Sequence, residues 1–272
     1  MKTILNNKLA LFGGVIIAIL VLVAIFAPKI SGYDPTYINI KQALLSPSME
    51  HPLGTDSLGR DLFSRMALAS RIALLVGFIA VGLSALIGVL LGSVAGYFGG
   101  RIDSVIMRFS DIMLCFPKFF LILAVIAVVG PSIINVMIII GVTGWMGIAR
   151  LMRAEILSLK TQDYVSASKT LGAGHAFIIM RHLIPNGIGP VLVSFVFGVA
   201  GAILTEASLS FIGLGVQPPD PSWGNILMEG KSVLGVAWWV ILFPGLAILV
   251  TVLALNLLGE GLRDALNPKL ER

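Results

Sequence analysis

Charge is what this sequence has least of. Only 12% of its 272 residues are Asp, Glu, Lys or Arg, 57% are hydrophobic, and the mean hydropathy is +0.98. A water-soluble domain of this size would need far more charge to cover its surface, so that class is excluded. Cysteine is nearly absent too. Cys115 stands alone, which rules out an internal disulfide and a cysteine-based metal cluster and leaves it a small packing residue. The 3 histidines supply no metal centre. His175 and His182 can share a helix face, but two imidazoles without a third ligand make a poor metal site; they read as solvated or capping residues. His51, just before Pro52, reads as structural. No serine, histidine and acid stand in the motif context of a hydrolase. Gly230-Lys231-Ser232 ends like a phosphate-binding loop, yet its first glycine would have to replace Asn225, and Gly224 comes one place early. Catalytic residues, a metal site and a resident cofactor are therefore not expected in this chain.

What the chain does have is long uncharged stretches. The hydrocarbon core of a bilayer is about 30 Å thick, and a helix rising about 1.5 Å per residue needs roughly 20 apolar residues to cross it. Leu9–Ala27 runs for 19 residues without a charge, Ile72–Gly100 for 29, Phe119–Ala149 for 31, Asn186–Thr205 for 20 and Ser232–Gly259 for 28. Gly130, Pro131 and Ser132 interrupt the third run near its middle. It reads as a tight hairpin of two spans, the first beginning nearer Met113 and carrying Lys118 within or close to the membrane, where a lysine can snorkel. The expectation is an all-α integral membrane protein with six transmembrane helices.

Six spans put both termini on one side. With that side cytoplasmic, Lys2, Lys8, Arg101, Arg108, Arg150, Arg153, Lys160, Lys169, Arg181, Arg263, Lys269 and Arg272 lie inside, following the preference of basic residues for short cytoplasmic loops. The segment from Pro28 to Arg71 is then external although it carries Lys29, Lys41, Arg60, Arg65 and Arg71; loops of that length orient less strictly. The apolar run after the first lysines exceeds the h-region of a signal peptide, about 7 to 15 residues, and reads as an uncleaved anchor. Basic cytoplasmic loops facing an anionic lipid surface account for the net charge of +5, which is no argument for nucleic acid.

Residues 1–71 divide off as an anchor helix, an external loop and an interfacial helix, and 72–272 as a five-helix core with a cytoplasmic loop at 150–186. In the external loop, Asp56 or Ser57 is placed to cap a helix. From Arg60 onward Leu62, Phe63, Met66, Ala67 and Ala69 form an apolar side opposite Asp61 and Arg65, which suggests an amphipathic helix lying at the outer interface. In the second span Ser84, Gly88, Gly92 and Gly96 recur every four residues, a helix-packing interface whose partner is either this chain or another subunit. Glu206 closes the fifth span; it either faces a water-filled path toward a cationic substrate group or anchors the loop from Ser208 to Gly215. Within 150–186, Asp163 is placed as an N-cap, Tyr164 to Leu171 make a short helix, and Gly172 supplies a left-handed stop. A second helix runs toward Ile184 and Pro185 ends it. Two short helices with a defined turn make a rigid knob.

That knob resembles the "EAA" coupling loop of ABC-importer permeases, in which Glu-Ala-Ala is followed by three residues, a glycine, nine residues, then Ile, any residue, Leu-Pro. The corresponding positions are Ser166-Ala167-Ser168, Gly172, His182, Ile184 and Pro185, with Ser166 in place of the glutamate and His182 in place of the isoleucine. The stretches Leu53-Gly-Thr-Asp-Ser-Leu-Gly-Arg-Asp61, Arg181-His-Leu-Ile-Pro-Asn186, Leu209-Ser-Phe-Ile-Gly-Leu-Gly-Val-Gln-Pro-Pro219 and Pro221-Ser-Trp-Gly224 look like the dipeptide, oligopeptide and nickel branch, and within it the second of two non-identical permeases. The resemblance covers nearly the whole chain.

It implies a type I importer permease in the bacterial cytoplasmic (inner) membrane, paired as a heterodimer with a homologous permease. Two ATP-binding subunits would hold the ATP and magnesium, and an extracytoplasmic binding protein would deliver the cargo. Tyr164, Ala167, Ser168, Gly172, Ala173 and Pro185 would form the ATPase-coupling loop, driving alternating access for di- or oligopeptides, or alternatively for nickel or a nickel chelate. Two rivals come from other classes. An ion-coupled secondary transporter calls for inverted repeats and buried mid-membrane charges, for which Lys118 is the one obvious candidate. A membrane-embedded enzyme needs a nucleophile or metal set at membrane depth, and none is seen.

Overall fold

A computed structural model describes residues 7–30 and 32–266; Lys2, Lys269 and Arg272 of the charge pattern lie outside them. The described chain is helical: α1 (Lys8–Ile30), α2 (Leu62–Phe98), α3 (Gly100–Leu114), α4 (Lys118–Val129), α5 (Ile133–Val142), α6 (Trp145–Leu159), α7 (Asp163–Thr170), α8 (Gly189–Phe211), α9 (Trp223–Gly230) and α10 (Trp239–Leu266). Helix is the expected state for backbone in hydrocarbon, where every N–H and C=O must find a partner within the segment. Five helical stretches are long and apolar enough to cross a membrane, and α3 with α4, bent by 86° at the break between them, brings the number to 6 if counted as one span.

Helix α2 differs from the sequence expectation. The helix foreseen at the outer interface is the start of one unbroken 37-residue helix that continues through Arg71 and Ile72, so the division at 71/72 falls inside it. At about 1.5 Å per residue it is some 55 Å long, well beyond the hydrocarbon thickness. Its cap is Asp61, whose carboxylate accepts the Ser64 N–H at 2.7 Å, rather than Asp56 or Ser57. Arg65 is not on a solvated face: it is 2% exposed.

The hairpin at Gly130, Pro131 and Ser132 is present. Gly130 takes φ +93°, and Ser132 caps α5 by accepting the Asn135 N–H at 3.1 Å. Met113, however, lies in the last turn of α3, a helix the sequence reading passed over, and α4 starts only at Lys118. Its 12 residues cover about 18 Å, short of a full crossing. Asp103 and Asp111 of α3 pair with Arg153 and Arg150 of α6, the former through Nε–Oδ1 and Nη2–Oδ2 contacts of 2.5 Å, which lays α3 along α6.

The bundle has two distinct ends. The start of α1 meets the end of α10, where a Cβ on Gly261 would collide with Ala10 and one on Gly13 would stand 2.5 Å from the Ala254 carbonyl oxygen. At the opposite end the segment before α2 meets the start of α10, the Trp239 indole N–H donating to the Thr55 carbonyl at 3.1 Å.

Candidate functional site

The stripe of small residues on α2 faces α6 of the same chain. A Cβ on Gly88 would lie 2.7 Å from Ile148 Cβ, one on Gly92 would strike the Ala149 backbone, and one on Gly96 would lie 2.8 Å from Ile156 Cβ. Ser84 closes the row by donating to the Gly141 carbonyl at 2.8 Å. The absent side chains let the two backbones touch, and close packing rather than hydrophobic transfer drives helix association inside lipid. This is the most extensive helix pairing among the described residues.

Helix α6 continues directly into the knob. Residue 162 is extended and caps α7, so Asp163 is its first helical residue rather than the cap, and its charge meets the positive end of the helix dipole. At the other end the Gly172 N–H bonds the Lys169 carbonyl and the Ala173 N–H the Ser168 carbonyl, both at 3.0 Å, with Gly172 at φ +81°. That is a complete Schellman stop, which a residue with a Cβ adopts only at a cost of about 1 to 2 kcal/mol. Val165 of α7 is fully buried against Ile178, Ile179 and Leu183, in a cluster shared with Met152 and Ile156 of α6.

Pro185 does not end the second helix. A turn at His175–Phe177 opens into a π-helical segment, Ile178–Leu183, followed by a further α turn, Ile184–Gly187, that contains Pro185. The wider π turn offers room for a ring that would clash with the carbonyl four residues back, and proline has no N–H to leave unpaired there. The helical path then passes Ile188 into α8.

The knob is fastened to α2 as well as α6. The Lys160 ammonium donates to the Gly96 carbonyl at 2.8 Å, Tyr97 Oη lies 2.8 Å from His175 Nδ1, and the Lys169 ammonium sits 5.5 Å over the Tyr97 ring. Inside, Ser168 Oγ donates to the Tyr164 carbonyl at 2.9 Å, and His182 packs between the rings of Tyr164 and Phe177. Facing outward are Tyr164, Ala167, Leu171, Gly172, Phe177 and Met180, with Leu171 88% exposed. Exposed apolar side chains on a well-tied platform suit a protein contact. Beside it a groove of about 1170 Å³ runs past Glu155, Pro185 and Asn186 to Arg263 and Leu266, so the end of α10 lies at the knob end of the bundle.

Glu206 is 1% exposed and accepts from Ser210 Oγ at 2.6 Å, while Ser210 Oγ accepts the Val216 N–H at 2.9 Å. The side chain thus ties α8 to the loop that follows it. That loop delivers Ser222, which forms a capping box with Asn225 at the start of α9.

The sequence reading missed a buried charge cluster at the end of the bundle opposite the knob. Asp56 receives Arg60 Nε at 2.6 Å and also Arg65 Nη1; Glu229 of α9 receives Arg60 Nη2 at 2.8 Å and both Nη atoms of Arg65. Two cations and two anions neutralise one another, the condition under which charges can be buried. Next to them His51 Nδ1 meets Asp61 Oδ1 at 2.9 Å, with the Tyr33 ring 4.8 Å away. Asp56 and Arg60 belong to the segment Leu53 to Asp61, and Glu229 follows the Pro221 to Gly224 segment: the cluster joins two stretches that carried the resemblance. The surplus of external arginines was the available signal.

A bundle with small-residue helix contacts, a two-helix knob at one end and a locked loop at the other is the architecture of a transport permease. Residues 88–272 match the family described as "Binding-protein-dependent transport system inner membrane component", and residues 1–47 match the "N-terminal TM domain of oligopeptide transport permease C". The chain belongs to that family and is a multi-pass inner-membrane protein. It is 41% identical over 270 residues to the dipeptide transport system permease protein DppC of Alkalihalophilus pseudofirmus, covering 99% of this chain and 89% of that one. It is 42% identical to the oligopeptide transport system permease protein OppC of Bacillus subtilis, covering 98% and 88%, and 40% identical to the glutathione transport system permease protein GsiD of Pectobacterium atrosepticum, covering 99% and 90%. The inward-facing MetNI methionine ABC transporter has a similar chain fold, with a TM-score of 0.58 at 16% identity over 72% of this chain and 93% of that chain.

Proposed function

We propose that this chain is one of two homologous permeases that together enclose a path for di- or oligopeptides, opened alternately to either side by two ATP-binding subunits. A binding protein outside the membrane supplies the cargo. The chain catalyses no reaction itself; ATP and magnesium belong to the ATP-binding subunits. The knob carries this reading: Tyr164, Ala167 and Gly172 are exposed on a small platform wedged against α2 and α6 through Val165, Lys160 and His175. A nucleotide can shift a two-state equilibrium only through differential contacts, and a stiff lever passes that difference to the bundle instead of dissipating it in local motion. The groove from Asn186 to Leu266 and the contact of Ala10 with Gly261 favour placing both termini on the side of the knob, the cytoplasmic side. Peptides are preferred over nickel because the similar permeases named above carry peptide or glutathione names.

The test is reconstitution in proteoliposomes of this chain with its neighbouring permease, ATPases and binding protein. Dipeptide uptake is expected to require all of them and ATP. Uptake by this chain alone, driven by an ion gradient, would establish the secondary-transporter alternative and overturn this reading.

A further inference from the structure

Lys118 has no charge partner among the described residues: none of the ion pairs includes it. The acids of α3, Asp103 and Asp111, are taken by Arg153 and Arg150. Its position does nothing for the helix it starts, because a cation in the first turn of α4 opposes the helix dipole. Exposed phenylalanines surround it in sequence, Phe116, Phe119 and Phe120. A lysine there facing lipid would be costly, so charges at such depths face water-filled paths or partners.

The lysine lines a cavity of about 120 Å³ shared with Ser84 of α2, Gly144 and Gly147 at the α5–α6 junction, and Ser194 and Gly198 of α8. Ser194 brings a hydroxyl, Ser84 already donates its own to the Gly141 carbonyl, and Gly147 borders open space. The cavity is at mid-height: Ser84 lies near the middle of the Leu62–Phe98 helix and Gly198 near the middle of Gly189–Phe211. One ammonium and one hydroxyl donor in a space too small for a whole dipeptide suit a single carboxylate.

We infer that Lys118, with Ser194, receives the terminal carboxylate of the peptide cargo midway along the path. This rests on the peptide-import reading above. Any cargo of that class ends in a carboxylate whatever its side chains, so one fixed cation recognises the class without restricting its members.

The experiment uses the complete reconstituted transporter and two probes, dialanine and its C-terminal amide, both at concentrations saturating the binding protein. The wild type takes up the acid faster than the amide. Lys118→Gln is expected to lower the acid-to-amide uptake ratio by about tenfold or more, the loss of one charge-assisted hydrogen bond, and Lys118→Arg to retain most of it. Ser194→Ala, which leaves the cation in place, lowers the ratio by a few fold and serves if the lysine variant does not assemble. An unchanged ratio in Lys118→Gln, or an unchanged ratio in Ser194→Ala where the lysine variant fails to assemble, overturns the subsite; the latter pattern identifies Lys118 as an ion-pair partner of the second permease. If the wild type imports neither probe, the peptide reading fails instead.

Discussion

Arg65 and Glu229 lie 164 positions apart in the sequence and form a two-pronged ion pair, Nη1 to Oε2 at 2.6 Å and Nη2 to Oε1 at 3.0 Å. The pair locks the start of α2 to α9, and with Asp56 and Arg60 it forms a neutral cluster of four charges. Glu229→Gln leaves Arg65 buried with half its compensation and is expected to cost roughly 3 to 5 kcal/mol. Joint replacement, Arg65→Met with Glu229→Gln, keeps the Asp56–Arg60 pair and should cost less than the sum of the two single changes. Thermal unfolding of the purified protein in detergent checks both; additive losses would show that the pair does not act as a unit.

Gly92 is the tightest point of the α2–α6 seam. Gly92→Val places atoms where the Ala149 backbone already stands, and overpacking of this kind costs about 1 to 3 kcal/mol or separates the helices. By contrast Gly82 on the same helix has open space around it, so Gly82→Val should be tolerated. Comparing the melting temperatures of the two variants reads the difference directly.

At Gly172 the constraint is the backbone angle, φ +81°, and not space, since nothing lies within 4 Å of a Cβ placed there. Gly172→Asn should therefore retain coupling, because asparagine visits the left-handed region, whereas Gly172→Val should lose about 1 to 2 kcal/mol at the stop of α7. The measurement is transport per ATP hydrolysed in the reconstituted complex. Intact coupling in the valine variant would remove the knob from the mechanism.

For Glu206, a carboxylate tied to Ser210 and through it to the Val216 N–H predicts a structural outcome. Glu206→Gln is expected to leave the KM for cargo unchanged while lowering stability by about 1 to 3 kcal/mol. A raised KM with unaltered stability would place Glu206 in contact with substrate.

Much of this molecule was legible because lipid simplifies the problem. Runs without charge had to become helices, and the break at Gly130 to Ser132 announced itself through residues that stop them. The turn at Gly172 was readable for the same local reason. What misled was charge taken at face value: Arg65 and Asp61 read as a solvated helix face because their partners, Glu229 in one case and His51 and Ser64 in the other, were unknown. Asp163 read as a cap because it is the favoured residue type, but residue 162 has the extended backbone and Asp163 is already helical.

By itself, then, the sequence determined the environment, the number of long apolar segments and the places where chain direction changes, since each depends on residues within a few turns of one another. Only the tertiary structure decided which face of α2 meets which helix, that Pro185 sits within a helical path widened by a π turn, and that four charges at the end away from the knob cancel in one cluster. Those depend on pairings between residues distant in sequence, such as Arg65 with Glu229 and Gly92 with Ala149, and no local pattern of side chains specifies a distant partner.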